Sequence, residues 1–328
     1  MIKALILLVS VGFLSKGQAQ IDRSLQPQPG PTPEINFGTP KEHQFDNGLT
    51  LMVVENHKLP QVSVSLSIDN PLYLEGQKAG LSGLLSNMMG KGSRNIPKDD
   101  FEEEVDFMGA RLRLTAQGGY ASTLKRYFPR VFEMMIDAAL HPNFLKEEFQ
   151  KEVDKTLEGL KSSEKDVKTA ARRVENLLSY GKDHPYGEYV SEKSIKKVSI
   201  DDLQELYQKN FHAQDAYITV VGDIDFESAK KLTKKYLGKW AKRHVVSSSF
   251  PEPKNVSQTQ IAFVEMPNAV QSEISVLCTA NIDRNNPDYY ALTIANQILG
   301  GGGEARLFLN LREDKGYTYG SYSRFNIN

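Results

Sequence analysis

The chain of 328 residues holds a single cysteine, Cys278, so no disulfide can form within it. That cysteine ends the apolar run Ile274-Ser275-Val276-Leu277-Cys278, where a lone thiol is expected to serve as a small buried hydrophobe. An excess of charge of either sign is also missing. Lys plus Arg is 40 and Asp plus Glu is 41, and no basic stripe interleaved with aromatics stands out, which argues against nucleic acid as a partner. Long apolar runs are absent too. Ala4 to Leu14 is the run at the N-terminus, and it falls short of the roughly 20 residues that cross a bilayer. No G-x-S-x-G elbow, no Walker G-x-x-x-x-G-K and no H-x-x-E-H or inverted form occurs. The histidines His43, His57, His141, His184, His212 and His244 are too far apart for any two to share a helical turn, so no local metal pair is expected.

The residues that are present describe an exported globular protein. Hydrophobic content of 40% and charged content of 25% are those of a folded chain. Met1-Ile2-Lys3, the apolar run and Gly17-Gln18-Ala19 read as a signal peptide over 1–19, cleaved after small residues. No cysteine follows the run, so a lipid anchor is excluded and no stable membrane anchor is expected. Export without disulfides fits a bacterial periplasm. Residues 20–40 carry Pro27, Pro29, Pro31, Pro33 and Pro40 and read as an extended linker.

Beyond the linker, Asn47-Gly48 between two apolar-patterned runs predicts a hairpin, and Val62, Val64, Leu66 and Ile68 alternate as a half-buried strand. Strands are further predicted over 110–115, 119–126 and 216–221. Helices are predicted over 131–139, 189–195, 200–209 and 226–237, with others opening at the Gly80 segment and at Pro97. One apolar stripe from Leu145 through Val153, Leu160 and Val167 to Leu178 predicts a single long helix. Pro251 and Pro253 mark the boundary between a domain over 41–250 and another over 251–328. In the second, strands are expected over 261–265, 272–278 and 317–325, and helices over 289–299 and 305–311. Strands and helices intermix without steady βαβ alternation, which favours an α+β fold.

Two blocks carry most of the functional information. The segment Gly80-Leu81-Ser82-Gly83-Leu84-Leu85-Ser86-Asn87-Met88-Met89-Gly90-Lys91-Gly92-Ser93 has the frame of a zinc-peptidase helix, G-L-x-H-x-L-E-H-M-x-x-K-G-T, with its reactive residues replaced. The segments Leu299 to Phe308 and Leu311 to Tyr319 match a second signature of the same group. The chain thereby resembles the insulinase/pitrilysin metallopeptidases, which include both subunits of the mitochondrial processing peptidase, over about residues 41–328.

The resemblance implies two related α+β domains of mixed, mainly antiparallel sheet backed by helices, the second incomplete because it stops a strand past Tyr319. It places Gly83 and Asn87 where two histidines would bind zinc, and Ser86 where a glutamate would activate water. Gly159 falls where a third ligand would come from the long helix. No metal is therefore expected on this chain. Glycine inside a helix costs on the order of 1 kcal/mol relative to alanine, so Gly83 and Gly159 reflect either drift or close helix packing.

Arg312 and Tyr319 match the family's paired Arg and Tyr, which hold the scissile peptide and stabilise the oxyanion from the opposite half of the chamber. The alternative is that Arg312 makes a surface ion pair with Glu313 or Asp314 and Tyr319 is a strand aromatic. Gly300, Gly301, Gly302 and Gly303 resemble the glycine-rich recognition loop of the non-catalytic processing subunit, or else form a plain helix-start turn. The implied function is that of a non-catalytic, substrate-binding partner of an active H-x-x-E-H subunit, with zinc on that partner and short or unfolded peptides as substrate. The alternative is a structural or binding protein that has left proteolysis.

Overall fold

The computed structural model describes residues 30–31, 39–243, 248–280 and 282–325. Two units divide at Thr39 and Pro40. Of the first, only Gly30, Pro31 and Thr39 are described, all exposed and without regular structure. The signal-peptide reading over 1–19 and most of the 20–40 linker fall outside the described residues, as does His244.

The second unit opens with the expected hairpin, β1 (Lys41–Gln44) and β2 (Thr50–Glu55), paired antiparallel. Its tip is fastened far along the chain. The Asn47 amide donates to the carbonyls of Leu237 at 2.9 Å and Trp240 at 3.1 Å, the first an acceptor that the end of a helix leaves free. β3 (Gln61–Ile68) follows, then α1 (Leu81–Met88) and α2 (Lys98–Phe107). β4 (Arg111–Thr115) and β5 (Gly118–Leu124) form a second hairpin leading into α3 (Phe128–Leu140).

The predicted long helix is two helices, α4 (Lys146–Ser163) and α5 (Val167–Tyr180). Asp166 is non-helical, at φ −86° and ψ 113°, and its carboxylate accepts the Thr169 N–H at 2.6 Å. That N-cap starts a new helix. α5 buries none of its residues.

α6 (Glu192–Ile195) and α7 (Ile200–Asn210) both begin with capping boxes, Ser191 with Ser194 and Ser199 with Asp202. α6 therefore starts three residues later than the periodicity predicts. β6 (Ala216–Gly222) and α8 (Phe226–Leu237) match their predicted spans closely.

The strands make one mixed sheet in the order β1-β2-β6-β3-β5-β4. β6 lies parallel to β2 and antiparallel to β3, and the other pairs are antiparallel. Period-two alternation sends Leu51, Val53, Val62, Val64, Leu66, Ala216, Ile218 and Val220 to one face. There they join buried residues of α1, α2, α3, α7 and α8 in a single core. The opposite face presents Ser63, Ser65, Ser67, Tyr120, Ser122, Tyr217 and Thr219, none of which joins that core. The α+β architecture read from the sequence is the one observed, with helices on one side of the sheet.

The remaining segment differs from expectation. α9 (Tyr289–Gly300) forms as read, while 305–311 becomes α10 (Arg306–Phe308) running into a π-helical turn, Leu309–Asp314. None of the three expected strands over 261–265, 272–278 and 317–325 is present among the described residues. Ile261 is 93% exposed, and Val270 and Val276 are each 99% exposed. A strand needs a ladder partner and a covering layer, and the described residues give these segments neither. Cys278, expected to be buried in the second of them, is exposed for the same reason.

Two outcomes follow from this packing. Asn47→Ala leaves the Leu237 and Trp240 carbonyls without their donor and should cost about 1–3 kcal/mol in urea unfolding. An unchanged midpoint would show that water replaces the amide. His212 is 2% exposed, and burial pushes its pKa below the ordinary 6.5. The unfolded chain then binds the proton more readily, so this stability is whole above about pH 6.5 and declines as the pH falls below it. His212→Leu should flatten the fall of the unfolding midpoint below about pH 6.5, and an identical slope in the variant would rule the effect out.

Candidate functional site

α1 is held at its start by a carboxylate from outside it. Glu75 accepts the backbone N–H groups of Gly80 at 2.5 Å, Leu81 at 3.0 Å and Ser82 at 2.8 Å, and also the Ser82 hydroxyl. These are donors that a helix N-terminus cannot satisfy internally, and a negative charge there also suits the helix dipole. Glu188 accepts from the backbone of Glu75 at 3.0 Å and Gly76 at 2.5 Å, tying this loop to a segment far along the chain. The Tyr73 hydroxyl meets Ser82, and burial holds its pKa above the ordinary phenol value. Ser194 donates to the Ala79 carbonyl at 2.7 Å.

Gly80 sits at φ 102°, and a Cβ there would come 2.5 Å from Ile195 Cδ1 and 2.8 Å from Val190 Cγ1. Only glycine fits this position.

On this fixed helix Leu84, Leu85 and Met88 are buried, while Gly83 and Asn87 stand exposed one turn apart. Ser86 is half-buried, and its hydroxyl accepts the Ala116 N–H at 3.0 Å, joining α1 to the turn between β4 and β5. Gly159 is exposed on α4. A Cβ added at Gly83 or Gly159 meets nothing within 4 Å. Close packing is thus not the reason for either glycine.

The donor set does not fit zinc. Such a site takes imidazole, thiolate or carboxylate ligands, and these positions supply two glycines, a neutral amide and a hydroxyl already engaged. The buried carboxylates of α4 are committed elsewhere: Glu152 to Lys91 at 3.2 Å, and Glu148 to Lys151 at 2.8 Å and Lys98 at 3.3 Å. The hydrogen bond from Lys151 is the main cause that lowers the Glu148 pKa. Among the described residues no group of three or more His, Cys, Asp or Glu is placed to hold a metal ion.

In the second block, Gly300 is buried, and its carbonyl accepts the Ser323 N–H at 3.0 Å. A Cβ at Gly300 would collide with the Ser323 backbone, and one at Gly301 with the Gln297 side chain, whereas Gly302 has open space. Gly303 has only the Phe308 ring nearby, at 3.8 Å. Gly300 therefore permits a close approach of the Tyr322–Ser323 backbone. Phe308 packs on Tyr322 with ring centroids 5.8 Å apart.

Arg312 lies in the π-helical turn, with its guanidinium 4.6 Å from the Phe308 ring centroid and 3.4 Å from the Glu313 carboxylate. Tyr319 is 84% exposed. Among the described residues no hydrogen bond or ion pair joins either side chain to Gly83, Ser86, Asn87 or Gly159. Glu75, Glu188 and Tyr73 escaped the sequence reading because their partners stand outside capping-box spacing, so no local pattern betrays them.

A cleft of about 240 Å³ lies apart from both blocks, lined by Ile96, Arg130, Glu133, Asp137, His141 and Tyr236. Its charges are matched internally. Arg130 meets Glu104 at 2.6 and 2.7 Å and Glu133 at 2.9 Å, and Asp137 meets Asn95 at 2.6 Å and His141 at 3.0 Å.

Comparison with known proteins places these features in a lineage. Residues 51–188 match the family model described as insulinase, peptidase family M16, and residues 197–328 match that described as the peptidase M16 inactive domain. An uncharacterized zinc protease of Bacillus subtilis, YmxG, is 24% identical over 86% of this chain and 69% of its own length. A probable inactive metalloprotease of the same organism, YmfF, is 21% identical over 84% of this chain and 70% of its own. Among solved structures, the peptidase M16 inactive domain from Pseudomonas fluorescens superimposes with a TM-score of 0.71 at 22% identity, over 88% of this chain and 71% of that one.

The open space around the two helical glycines has a direct test. Gly83→Ala and Gly159→Ala should each stabilise the protein by about 0.4–1 kcal/mol in chemical denaturation. Gly80→Ala should cost about 1–3 kcal/mol through its left-handed backbone. Destabilisation by the first two substitutions would show that these glycines do serve packing.

Proposed function

The chain belongs to the M16, or insulinase, peptidase family, and on that premise we propose that it is a non-catalytic subunit supporting peptide cleavage by an active relative. The observation that carries this reading is the contrast on α1. Its start is held by Glu75 and by a glycine no other residue can replace, yet Gly83, Ser86 and Asn87 offer no zinc ligand and no base. Zinc and the activated water would belong to a partner carrying H-x-x-E-H.

In this reading Arg312 and Tyr319 act across the substrate chamber on peptide bound at the partner's metal. A guanidinium offers a planar fork of donors, and a phenol can donate to a developing oxyanion. Arg312 would first exchange its exposed ion pair with Glu313, which costs at most about 1 kcal/mol at such a surface. Gly300, Gly301, Gly302 and Gly303 would bring backbone N–H groups close to the peptide. Short or unfolded peptides are the substrate class, residues 41–250 and 251–328 are the two domains, and the N-terminal run directs the protein to a bacterial periplasm. Among the described residues no helix is long and apolar enough to cross a membrane.

A second reading, a scaffold that has left proteolysis, draws support from Arg312 itself. Its guanidinium is occupied by Glu313 and Phe308 in the manner of an ordinary surface residue.

The purified chain should hold less than stoichiometric zinc and cleave no peptide alone, but raise cleavage of an unstructured peptide when mixed with an H-x-x-E-H relative from the same cell. Within that pair, Tyr319→Phe should lower kcat by roughly 10²–10³ with subunit pairing intact, the usual loss for one oxyanion donor. Arg312→Ala should raise KM as well. One chelatable zinc per chain with activity of its own would overturn the proposal, and a pair indifferent to both substitutions would favour the scaffold.

A further inference from the structure

α8 carries an unusual concentration of positive charge in a chain that is almost neutral. It buries Ala229, Thr233 and Leu237, and rests Phe226, Leu232 and Tyr236 against the same core. The positions left over are Glu227, Ser228, Lys230, Lys231, Lys234 and Lys235, and the chain beyond the helix adds Lys239, Lys242 and Arg243. All are exposed except Lys230, which is partly so. Glu227 is the one acid between Phe226 and Arg243.

Several cations elsewhere are paired: Lys41 with Glu55, Lys78 with Asp202, Lys91 with Glu152, Lys125 with Asp223, Lys196 with Glu192. Among the described residues none of the α8 cations forms an ion pair. Lys235 donates to the Tyr236 hydroxyl at 2.7 Å, Arg243 donates to the Gln208 carbonyl at 2.6 Å, and Lys230 lies 5.9 Å from the Phe226 ring centroid. Lys230 with Lys234, and Lys231 with Lys235, are like charges one turn apart and repel. Glu133, across from Lys235, offsets this only locally.

We propose that the outward face of α8, continued through Arg243, is a docking surface for the anionic headgroups of a lipid bilayer. Charge complementarity calls for an anionic occupant, and the side-chain types select among anions. Protein interfaces are depleted of lysine and anchored by exposed aromatics. Here Trp240 is buried and Tyr236 lies against the core. Base readout and single-strand binding use arginine forks and stacking rings, and this face has one arginine and no free ring. Ammonium groups on flexible stems, each fully hydrated, suit a diffuse sheet of negative charge.

The geometry agrees. α8 runs about 18 Å at 1.5 Å per residue, on the helix side of the sheet, with its cations directed away from the core. Attachment of this kind is reversible and salt-labile, unlike an anchor, and it is independent of the peptide-binding reading.

The test is sedimentation of the full chain with vesicles. The protein should bind vesicles of about 30% phosphatidylglycerol in phosphatidylcholine at about 50 mM salt, release at about 500 mM, and ignore pure phosphatidylcholine. The variant K231Q/K234Q/K235Q/K242Q changes only exposed side chains, and an unaltered unfolding midpoint would verify its fold. It should lose at least about tenfold in affinity. No binding to the anionic vesicles, equal binding to neutral ones, or full binding by the variant would overturn the proposal. Tighter binding to a DNA duplex than to the vesicles, or to an acidic protein from the same cell, would overturn it too, by naming a different occupant.

Discussion

The fold depends on where β6 goes. This strand arrives after the chain has built α1 to α7, and it enters between β2 and β3 rather than at an edge. It pairs parallel on one side and antiparallel on the other, so the ladders of both flanking hairpins close only when it is present. Until then β2 and β3 each have an open edge, and the apolar residues of α3 have an incomplete floor. Ala216, Ile218 and Val220 then fill the middle of the core with small and branched side chains. The Asn47 bond to the end of α8 locks the arrangement, because it joins the first hairpin to the helix that directly follows β6.

Against that background the candidate site separates architecture from chemistry. What positions α1 is local and intact: a carboxylate on its first amides, a left-handed glycine, and a serine tied to the β4–β5 turn. Where the family resemblance puts two histidines and a glutamate, the chain has Gly83, Asn87 and Ser86. The two properties rest on different residues, so one could be lost while the other persisted.

Much of this was legible in the sequence, and the failures share a cause. Asn47-Gly48, the alternation of Val62 to Ile68 and the span of α8 were readable because each is a local pattern whose partner is the core itself. The stripe from Leu145 to Leu178 concealed a break because apolar spacing continues on both sides of Asp166, and periodicity does not see a cap; α5 buries none of its residues and Leu178 is 56% exposed. Segments 261–265, 272–278 and 317–325 have the alternation of strands, but alternation records a readiness to pair and not the presence of a partner. Cys278 was misjudged with them. Glu75 and Glu188 were invisible because they bind main-chain amides, which have no sequence identity. In the candidate site, the reading of Gly83, Ser86, Asn87 and Gly159 as positions without ligands needed only their chemistry, whereas the reach of Arg312 and Tyr319 depends on geometry that no spacing contains.

The empty space beside Gly83 and Gly159 also bears on descent. On the proposed reading, a side chain could be written back at either glycine without its Cβ meeting a neighbour. Selection, however, acts on one substitution at a time. A lone imidazole at residue 83 or 87 holds no metal, and a carboxylate at 159 without them catalyses nothing, so no intermediate on the return path is any fitter than its neighbours. On that reading the scaffold keeps the shape of a reaction with no stepwise route back to it.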